Sequence, residues 1–310
     1  MNPGQQSNSQ PFFTVIIPTY NRAHLIGKTI DSVLDQTFQD FEIVIVDNKS
    51  TDNTTEMLQT YLRDPRITLY VQKENYERSN SRNRGMSLAT GKYSTFLDSD
   101  DIIYKDSLAL AHDFALKNTA SKVFHHYYET VDTSGKHVYT YSFPPPSGDM
   151  LKKLLQGNFL SCIGVFTSRD IYTKYLFDEN KASLGSEDWD FWIRVVADHP
   201  LGVIPKVAAA IIQHDERTVM QNKIAGILVR KDYYMNKYRT NPELASRLGK
   251  HLHIFEAGFY LYTATVSYQA RLYGQGYMFL FRAFLKYPPC AFTIVFWKIL
   301  LSPIKNMIRK

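Results

Sequence analysis

The chain has 310 residues, of which 44% are hydrophobic and 21% are charged. This length allows two domains of ordinary size, or one large domain with an additional segment. The composition is that of a globular protein, which excludes collagen-like, coiled-coil and wholly disordered chains. Lysine and arginine total 36 against 30 aspartate and glutamate, a formal net charge of +6.

The net positive charge comes from the C-terminal segment. No Asp or Glu follows Glu256, whereas residues 257–310 contain seven Lys or Arg. The first 256 residues therefore hold 29 basic and 30 acidic residues, a net charge of −1. Because the basic residues alternate with apolar and aromatic ones, we expect no nucleic-acid partner.

The two cysteines, Cys162 and Cys290, lie far apart in the sequence. They predict neither a disulfide framework nor a structural zinc site, and they favour a reducing, cytoplasmic compartment. Residues 1–11 are rich in Asn, Gln, Ser and Pro. Because this segment lacks the apolar core of a signal peptide, we predict a short disordered leader.

Short apolar runs alternate with amphipathic segments over the first hundred residues. The predicted strands are residues 14–18, 42–47, 67–71 and 93–97, and the predicted helices are residues 23–36, 54–62 and 79–89. Strands that are apolar almost throughout are typical of parallel sheets covered on both faces by helices. The sequence thus predicts an α/β fold, in which ligands bind beyond the carboxyl ends of the strands.

Beyond residue 101 the alternation is less regular. We predict, in order, a helix, a hairpin, a strand, a helix and a pair of short strands over residues 108–116, 123–143, 164–167, 188–196 and 203–213. Further helices are predicted over residues 224–238, 244–273 and 277–287, with breaks at Pro242 and at the pair Gly274–Gly276. The change of pattern predicts a domain boundary near residues 216–222.

Acidic residues follow the predicted strands at the edge where ligands are expected. Asp98 and Asp100 come after the fourth strand, and residues two apart in an extended chain point the same way. Two converging carboxylates favour a hard cation such as Mg²⁺ or Mn²⁺. The same residues also suit an acidic turn that caps the next helix, so the D-x-D pattern alone leaves both interpretations open.

Five motifs occur in a fixed order along the chain. They are residues 15–22 (VIIPTYNR), 43–52 (IVIVDNKSTD), 82–85 (RNRG), 96–101 (FLDSDD) and 187–190 (EDWD). Together they resemble the family-two inverting glycosyltransferases with the GT-A fold, over about residues 12–215. The resemblance implies a Rossmann-like, mostly parallel sheet flanked by helices and followed by a helical C-terminal region. The expected organisation is a leader, a catalytic domain, a helical region and a basic amphipathic tail, over residues 1–11, 12–218, 219–287 and 288–310.

The resemblance also implies roles for the matched residues. The pocket for a nucleoside-diphosphate sugar, which we expect to be a UDP-sugar, would be lined by Pro18, Thr19, Tyr20, Asn21, Asp47, Arg82, Asp98 and Ser99. Asp47 would accept hydrogen bonds from the base, and Asp98 would face the ribose. Asp100, with Asp98, would hold the Mg²⁺ or Mn²⁺ that bridges the diphosphate oxygens. Glu187 and Asp188 would be the catalytic pair, with Asp188 as the general base.

Some of these assignments have a structural alternative. Glu187 and Asp188 also favour a helix N-terminus through its dipole. His214 follows a predicted strand, where the resemblance implies a position near the diphosphate or metal, and an ordinary hydrogen bond at a strand end fits equally well. Trp189 and Trp192 flank the expected base, where stacking on an acceptor sugar and packing in the core are both open.

The basic tail contains a short apolar run. Residues 291–301 (AFTIVFWKILL) are apolar except for Thr293 and Lys298, and this run is shorter than the ~20 residues that span a bilayer. We predict a helix on a membrane surface with its basic residues towards anionic headgroups; a helix packed on the catalytic domain is the alternative. Residues 252–289 resemble a single degenerate tetratricopeptide-type hairpin, too short for a binding solenoid.

The sequence therefore predicts an inverting, metal-dependent sugar transferase, peripheral on the inner face of a bacterial membrane. Its expected acceptor is a saccharide or a lipid-linked saccharide, and the sugar, the linkage and the oligomeric state are left open. A nucleotidyltransferase on the same sheet would need a Gly-rich basic loop after the first strand, which residues 18–22 do not form. A non-catalytic nucleotide- or saccharide-binding relative would lack Asp100 or Asp188, and both are present.

Overall fold

The computed structural model describes residues 10–141, 149–214, 224–293 and 295–301. The predicted boundary near residues 216–222, most of the predicted leader and the last nine residues of the tail lie outside these ranges. The chain divides into two compact units. The first comprises Met1–Pro145, Ser161–Phe177 and His199–Gln213, and the second comprises Pro146–Leu160, Asp178–Asp198 and His214–Lys310.

Within the described residues, the first unit is built on a nine-stranded sheet. The strands are β1 (Phe13–Thr19), β2 (Phe41–Asp47), β3 (Ile67–Val71), β4 (Tyr93–Phe96), β5 (Ile102–Ile103), β6 (Val123–Val131), β7 (His137–Tyr141), β8 (Val165–Ser168) and β9 (Leu201–Ile212). Their order in the sheet is β3-β2-β1-β4-β8-β6-β9-β5, and β7 pairs with β6.

The helices of both units alternate with or follow these strands. They are α1 (Ile26–Leu34), α2 (Thr54–Leu58), α3 (Glu77–Leu88), α4 (Ser107–Lys117), α5 (Met150–Gln156), α6 (Arg169–Tyr172), α7 (Glu187–Asp198), α8 (Ile224–Thr240), α9 (Pro242–Leu248), α10 (Leu252–Gln269) and α11 (Tyr273–Lys286). Residues 295–301 are also helical. The α/β fold with a helical C-terminal region is therefore confirmed.

The first four strands run parallel, as the sequence predicts. β1 and β2 are in register, with Thr19 opposite Asp47, so the loops that follow them start at the same edge of the sheet. Beyond β4 the sheet is mixed, because β8 is antiparallel to β4 and β6, whereas β6 and β9 are parallel.

The two faces of β1 pack against different helices. Val15 and Ile17 share a core with Ile30 of α1. Ile16 faces α3, where a Cβ added to Gly85 would lie 2.2 Å from the Ile16 Cγ2 atom. Because successive strand residues point to opposite faces, both faces are covered here, which is why β1 is buried throughout.

The second unit is a helical assembly around α10. This helix packs against α5, α8 and α11 and is buried along most of its length. Trp189 of α7 packs against Phe255 and Phe259 of α10, and its indole N–H donates to the Leu154 carbonyl over 2.7 Å. Trp189 and Trp192 are both buried, so core packing is the alternative that the structure supports.

Two predicted elements differ from the structure. The pair of short strands expected over residues 203–213 is one strand, β9, which pairs with β6 along its length through two register shifts near Tyr127. The single helix expected over residues 244–273 is two helices, α9 and α10, joined by the 3₁₀ turn Gly249–His251.

The break between the last two helices also lies elsewhere than expected. Gly274 and Gly276 are inside α11, and the chain turns instead at Arg271, which has a φ of +61°. α10 and α11 pack against each other as the helical hairpin that the sequence predicts. No helix among the described residues combines the length and the hydropathy that crossing a membrane requires.

Candidate active site

Hydrogen bonds join the loops that follow β1 and β2. The Asn21 backbone N–H donates to the Ser50 hydroxyl over 2.9 Å, and the Asn21 side-chain oxygen accepts from the Thr51 N–H over 2.8 Å. The Arg22 N–H donates to the Thr54 hydroxyl over 2.9 Å. Asn21 has a φ of +51°, in the left-handed region that Asn tolerates better than most residues. These contacts hold the two loops together.

Asp47, at the end of β2, is fully buried. Its Oδ1 atom accepts from the Ser50 N–H and hydroxyl, over 3.1 and 2.6 Å, and its Oδ2 atom accepts from the Thr55 hydroxyl over 2.6 Å. In the structure this carboxylate therefore supports the loop that follows β2. Its contact with a nucleotide base stays a prediction.

Asn48 joins the same loop to the one after β3. Its amide nitrogen donates to the Asn75 side chain over 2.7 Å, and its side-chain oxygen accepts from the Tyr76 N–H over 2.9 Å. Tyr20 and Tyr76, in the loops after β1 and β3, are 41% and 46% exposed. Tyr76 was not among the predicted site residues, because its exposure is visible only in the folded chain.

Pro18 and Thr19 are buried at the carboxyl end of β1. The Thr19 hydroxyl makes no hydrogen bond within the described residues although it is excluded from solvent. A buried polar atom without a partner is uncommon in native proteins. This hydroxyl is therefore a candidate contact for a polar ligand.

Three carboxylates converge after β4. Asp98, Asp100 and Asp101 each place an oxygen within 4.8 Å of the other two, and we call them the carboxylate cluster. They converge through a turn, closed by a 3.0 Å hydrogen bond from the Asp101 N–H to the Asp98 carbonyl. The extended geometry expected for this segment is therefore wrong. Ser99 is buried within the turn. A set of carboxylate oxygens at this separation fits Mg²⁺ or Mn²⁺.

Arginine side chains lie beside the cluster. The Arg82 guanidinium donates to Asp98 over 2.9 Å from a side chain that is only 3% exposed, and it packs over the Phe177 ring at 5.4 Å. The Arg22 guanidinium lies 3.9 Å from Asp100. The positive charge beside this turn thus comes from side chains of α3 and of the loop after β1.

Asp101 differs from its two neighbours. It is 1% exposed, and its Oδ1 atom accepts from the Ile212 N–H at the end of β9 over 3.0 Å. Asp98 and Asp100 are more accessible, so they are the better placed ligands for a cation. His214 is not part of the carboxylate cluster among the described residues, and its assignment as a metal ligand stays a prediction.

Glu187 and Asp188 open α7 in the second unit. Glu187 is buried, and its carboxylate accepts from the Gly185 N–H over 2.7 Å, which supports the helix N-terminus alternative for this residue. The Asp188 Oδ1 atom accepts from the Trp189 N–H over 2.8 Å, and its Oδ2 atom accepts from the Asn158 amide over 3.0 Å. Asn158 was missed because no sequence pattern links it to a residue thirty positions away.

Asp190, on the first turn of α7, is fully buried in an ionic network. Its carboxylate lies 2.8 Å from Arg194 and 3.0 Å from Lys237, and it accepts from the Tyr238 hydroxyl over 2.8 Å. Burial alone would raise the pKa of Asp190, but the positive charges of Arg194 and Lys237 outweigh it and hold that pKa below its ordinary value. The network joins α7 to α8.

Comparison with known proteins gives relatives of both sequence and structure. An uncharacterized glycosyltransferase of Rickettsia bellii is 32% identical over 227 residues, 72% of this chain and 32% of the relative. The UDP-Glc:alpha-D-GlcNAc-diphosphoundecaprenol beta-1,3-glucosyltransferase WfgD of Escherichia coli is 29% identical over 194 residues, 62% of this chain and 72% of that protein. The chain spans only 32% to 38% of the length of three Rickettsia relatives.

The crystal structure of S. aureus TarS 1-349 in complex with UDP-GlcNAc has the same fold. It aligns with a TM-score of 0.67 at 21% identity and covers 88% of this chain and 81% of that chain. The predicted GT-A fold is therefore confirmed. The family model described as Glycosyl transferase family 2 matches residues 14–176, more than half of the chain, and it ends before α7. The chain thus belongs to glycosyl transferase family 2.

Proposed function

We propose that this protein transfers a sugar from a UDP-sugar to a hydroxyl of a saccharide or lipid-linked saccharide, with inversion at the anomeric carbon. The observation that carries the proposal is the carboxylate cluster, which follows β4 at the carboxyl edge of the parallel strands. Family membership supports sugar transfer. The names of WfgD and of the TarS complex support a UDP-sugar donor, and that of WfgD supports a lipid-linked acceptor.

The donor is held by the loops that follow the parallel strands. Tyr20 and Tyr76 offer exposed aromatic surfaces for the base, and the buried Thr19 hydroxyl has bonding capacity for a polar group of the nucleotide. Pro18 and Asn21 shape the same loop. Because hydrogen bonds join the loops after β1 and β2, donor binding needs little further ordering of this edge.

Asp98 and Asp100 are the residues that hold Mg²⁺ or Mn²⁺ in this proposal. When bound, the cation neutralises the charge that develops on the departing nucleoside diphosphate. Arg82 orients Asp98 through their 2.9 Å contact, and the packing of Arg82 on Phe177 keeps the guanidinium in place.

Asp188 is the proposed general base. It takes the proton of the acceptor hydroxyl while that oxygen forms the new bond to the anomeric carbon and the bond to the diphosphate oxygen breaks. Asn158 and the Trp189 N–H donate to the two carboxylate oxygens and so hold the carboxylate in one orientation. A lipid-linked acceptor would place the reaction at the cytoplasmic face of a bacterial membrane.

The proposal is tested with a panel of nucleotide sugars. A UDP-sugar at a hundred times its dissociation constant stabilises the folded chain by about 2.7 kcal/mol, which raises the unfolding temperature. We expect the UDP-sugar to raise the unfolding temperature in the presence of Mn²⁺ and not in the presence of EDTA. We also expect release of UDP when a saccharide acceptor is added. Asp100→Asn is expected to remove the rise.

The matched control is Asp113→Asn, which changes an acid of α4 that is 68% exposed. This variant should show the same rise in unfolding temperature with the UDP-sugar as the unchanged chain. Absence of stabilisation by every nucleotide sugar would contradict the proposal. Stabilisation without UDP release in the presence of any acceptor would favour a non-catalytic binding protein instead.

A further inference from the structure

Helix α11 is apolar on two opposite sides. One side packs in the core of the second unit through Phe279 and Ala283. The other side carries Met278, Phe281 and Leu285, which are 40%, 60% and 63% exposed. At 3.6 residues per turn, the exposed apolar positions of α11 fall within an arc of about 120°. A helix that packs only against its own protein has a polar outer face, so this side requires another explanation.

The helical residues 295–301 extend the same surface. The Phe296 and Phe284 ring centroids lie 6.4 Å apart, and the Tyr277 hydroxyl donates to the Leu300 carbonyl over 3.4 Å. Trp297, beside these contacts, is 50% exposed. The exposed side chains of both helices therefore form one surface. We call it the apolar face, and it consists of Tyr277, Met278, Phe281, Phe284, Leu285 and Trp297.

The size of this surface is unusual for the molecule. More than half of the exposed large hydrophobic side chains among the described residues lie between Leu272 and Leu301. Exposed apolar side chains scattered singly need no explanation, whereas a contiguous patch marks an interaction site. Phe292, which is 93% exposed, lies in the 3₁₀ turn Pro288–Phe292 between α11 and residues 295–301.

The charge beside the apolar face is positive. Arg282 and Lys286 lie on α11, and Lys298 lies on the helix of residues 295–301. No Asp or Glu follows Glu256 in the sequence. Glu256 itself accepts from Lys286 over 2.9 Å. Arg282 packs over the Phe279 ring at 5.5 Å. Basic groups thus stand next to exposed aromatic and aliphatic side chains.

We propose that the apolar face binds the surface of a membrane that contains anionic lipid. α11 then lies in the plane of the interface, with its apolar side chains among the acyl chains and Arg282, Lys286 and Lys298 at the headgroups. Charge complementarity favours this partner over a second copy of the chain, because two such faces would bring like charges together. This binding does not depend on the proposed sugar transfer.

The test is co-sedimentation of the full chain with phosphatidylcholine vesicles that contain or lack phosphatidylglycerol. We expect binding to the anionic vesicles that weakens as salt screens the basic residues. The triple variant F281S/L285S/W297S is expected to lose vesicle binding by at least about tenfold. The double variant R282Q/K298Q is expected to weaken binding to anionic vesicles by about tenfold.

The matched control is L116S/V229S. It replaces apolar side chains of α4 and α8 that are 55% and 58% exposed, outside the apolar face, and it should bind vesicles as the unchanged chain does. Thermal unfolding of all variants checks that the substitutions leave the fold intact, as expected for exposed positions.

The proposal would be overturned if the triple variant binds vesicles as well as the unchanged chain does. It would also be overturned if L116S/V229S loses as much vesicle binding as the triple variant. If the unchanged chain binds no vesicles and is a dimer that the triple variant converts to monomers, the apolar face is an interface between copies instead. The stabilisation by nucleotide sugars should be the same in every variant. A failure here is thereby distinguishable from a failure of the proposed sugar transfer.

Discussion

The two units hold their acidic residues in different ways. In the first unit the carboxylate cluster brings three negative charges within 4.8 Å of one another, and Asp98 and Asp100 remain partly exposed. In the second unit Asp190 is fully buried, and its carboxylate lies 2.8 Å from Arg194 and 3.0 Å from Lys237. An acid enclosed by the cations of its own chain thus stabilises the fold, whereas converging acids near solvent suit a bound cation.

The largest expected effect concerns Asp188, the acid next to the buried network. Asp188→Asn removes the proposed proton acceptor, and a positioned base contributes about 10²- to 10⁴-fold to a rate. We expect transfer to fall by this range while stabilisation by the donor persists. Single-turnover transfer and thermal unfolding with the donor measure the two quantities. Transfer within threefold of the unchanged enzyme would exclude Asp188 as the base.

Asp190→Asn tests the structural side of the comparison. It leaves Arg194 and Lys237 next to a neutral side chain, and breaking a buried ion pair costs about 3 kcal/mol or more. Chemical denaturation should show this loss in the free energy of unfolding. Asp232→Asn, which changes an α8 acid that is 73% exposed, should stay within about 0.5 kcal/mol of the unchanged chain.

The same variant has a defined dependence on pH. The lowered pKa of Asp190 means that its stabilisation is present above the pKa of the unfolded chain, near 4, and is lost as pH falls through the folded-state value. We therefore expect the difference in unfolding free energy between Asp190→Asn and the unchanged chain to narrow below about pH 4. A difference that is constant from pH 7 to pH 3 would contradict the ionic network.

Gly85→Ala tests how the first unit positions its cluster. The new Cβ would lie 2.2 Å from Ile16, and overpacking of this kind costs about 1–3 kcal/mol. Because α3 also carries Arg82, a displacement of α3 should weaken the stabilisation of the folded chain by Mn²⁺ and the donor. Gly274→Ala, where a Cβ meets no atom within 4 Å, is the control and should be neutral or slightly stabilising. Equal effects of the two changes would refute close packing of α3.

Asn158→Ala gives the smallest expected effect. It removes the 3.0 Å hydrogen bond to Asp188, so we expect kcat to fall by about threefold to tenfold with KM unchanged. Asn236→Ala, at an exposed Asn of α8, should change neither quantity. An unchanged kcat in Asn158→Ala would show that Asn158 does not position Asp188.

Several elements were predictable because their causes are local. The strands β1 to β4 are short apolar runs, and each predicted limit lies within one residue of the observed limit. The single strand β9 was not predictable, because its length depends on pairing with β6. The break expected at Pro242 is present between α8 and α9, but the division of α9 from α10 at Gly249–His251 was missed.

The candidate site divides in the same way. The order of the motifs along the chain was sufficient to predict the family. The position of the acids after β4 was also predictable, because strand ends in a parallel sheet share one edge. The turn that brings Asp101 into the cluster, and the contact of Asn158 with Asp188, required the folded chain. The exposed side of α11 also required it, because which of two apolar sides is buried depends on the helix packed against it. The local sequence determines the strands and the residue types at their ends, whereas packing between distant segments determines which side chains come into contact.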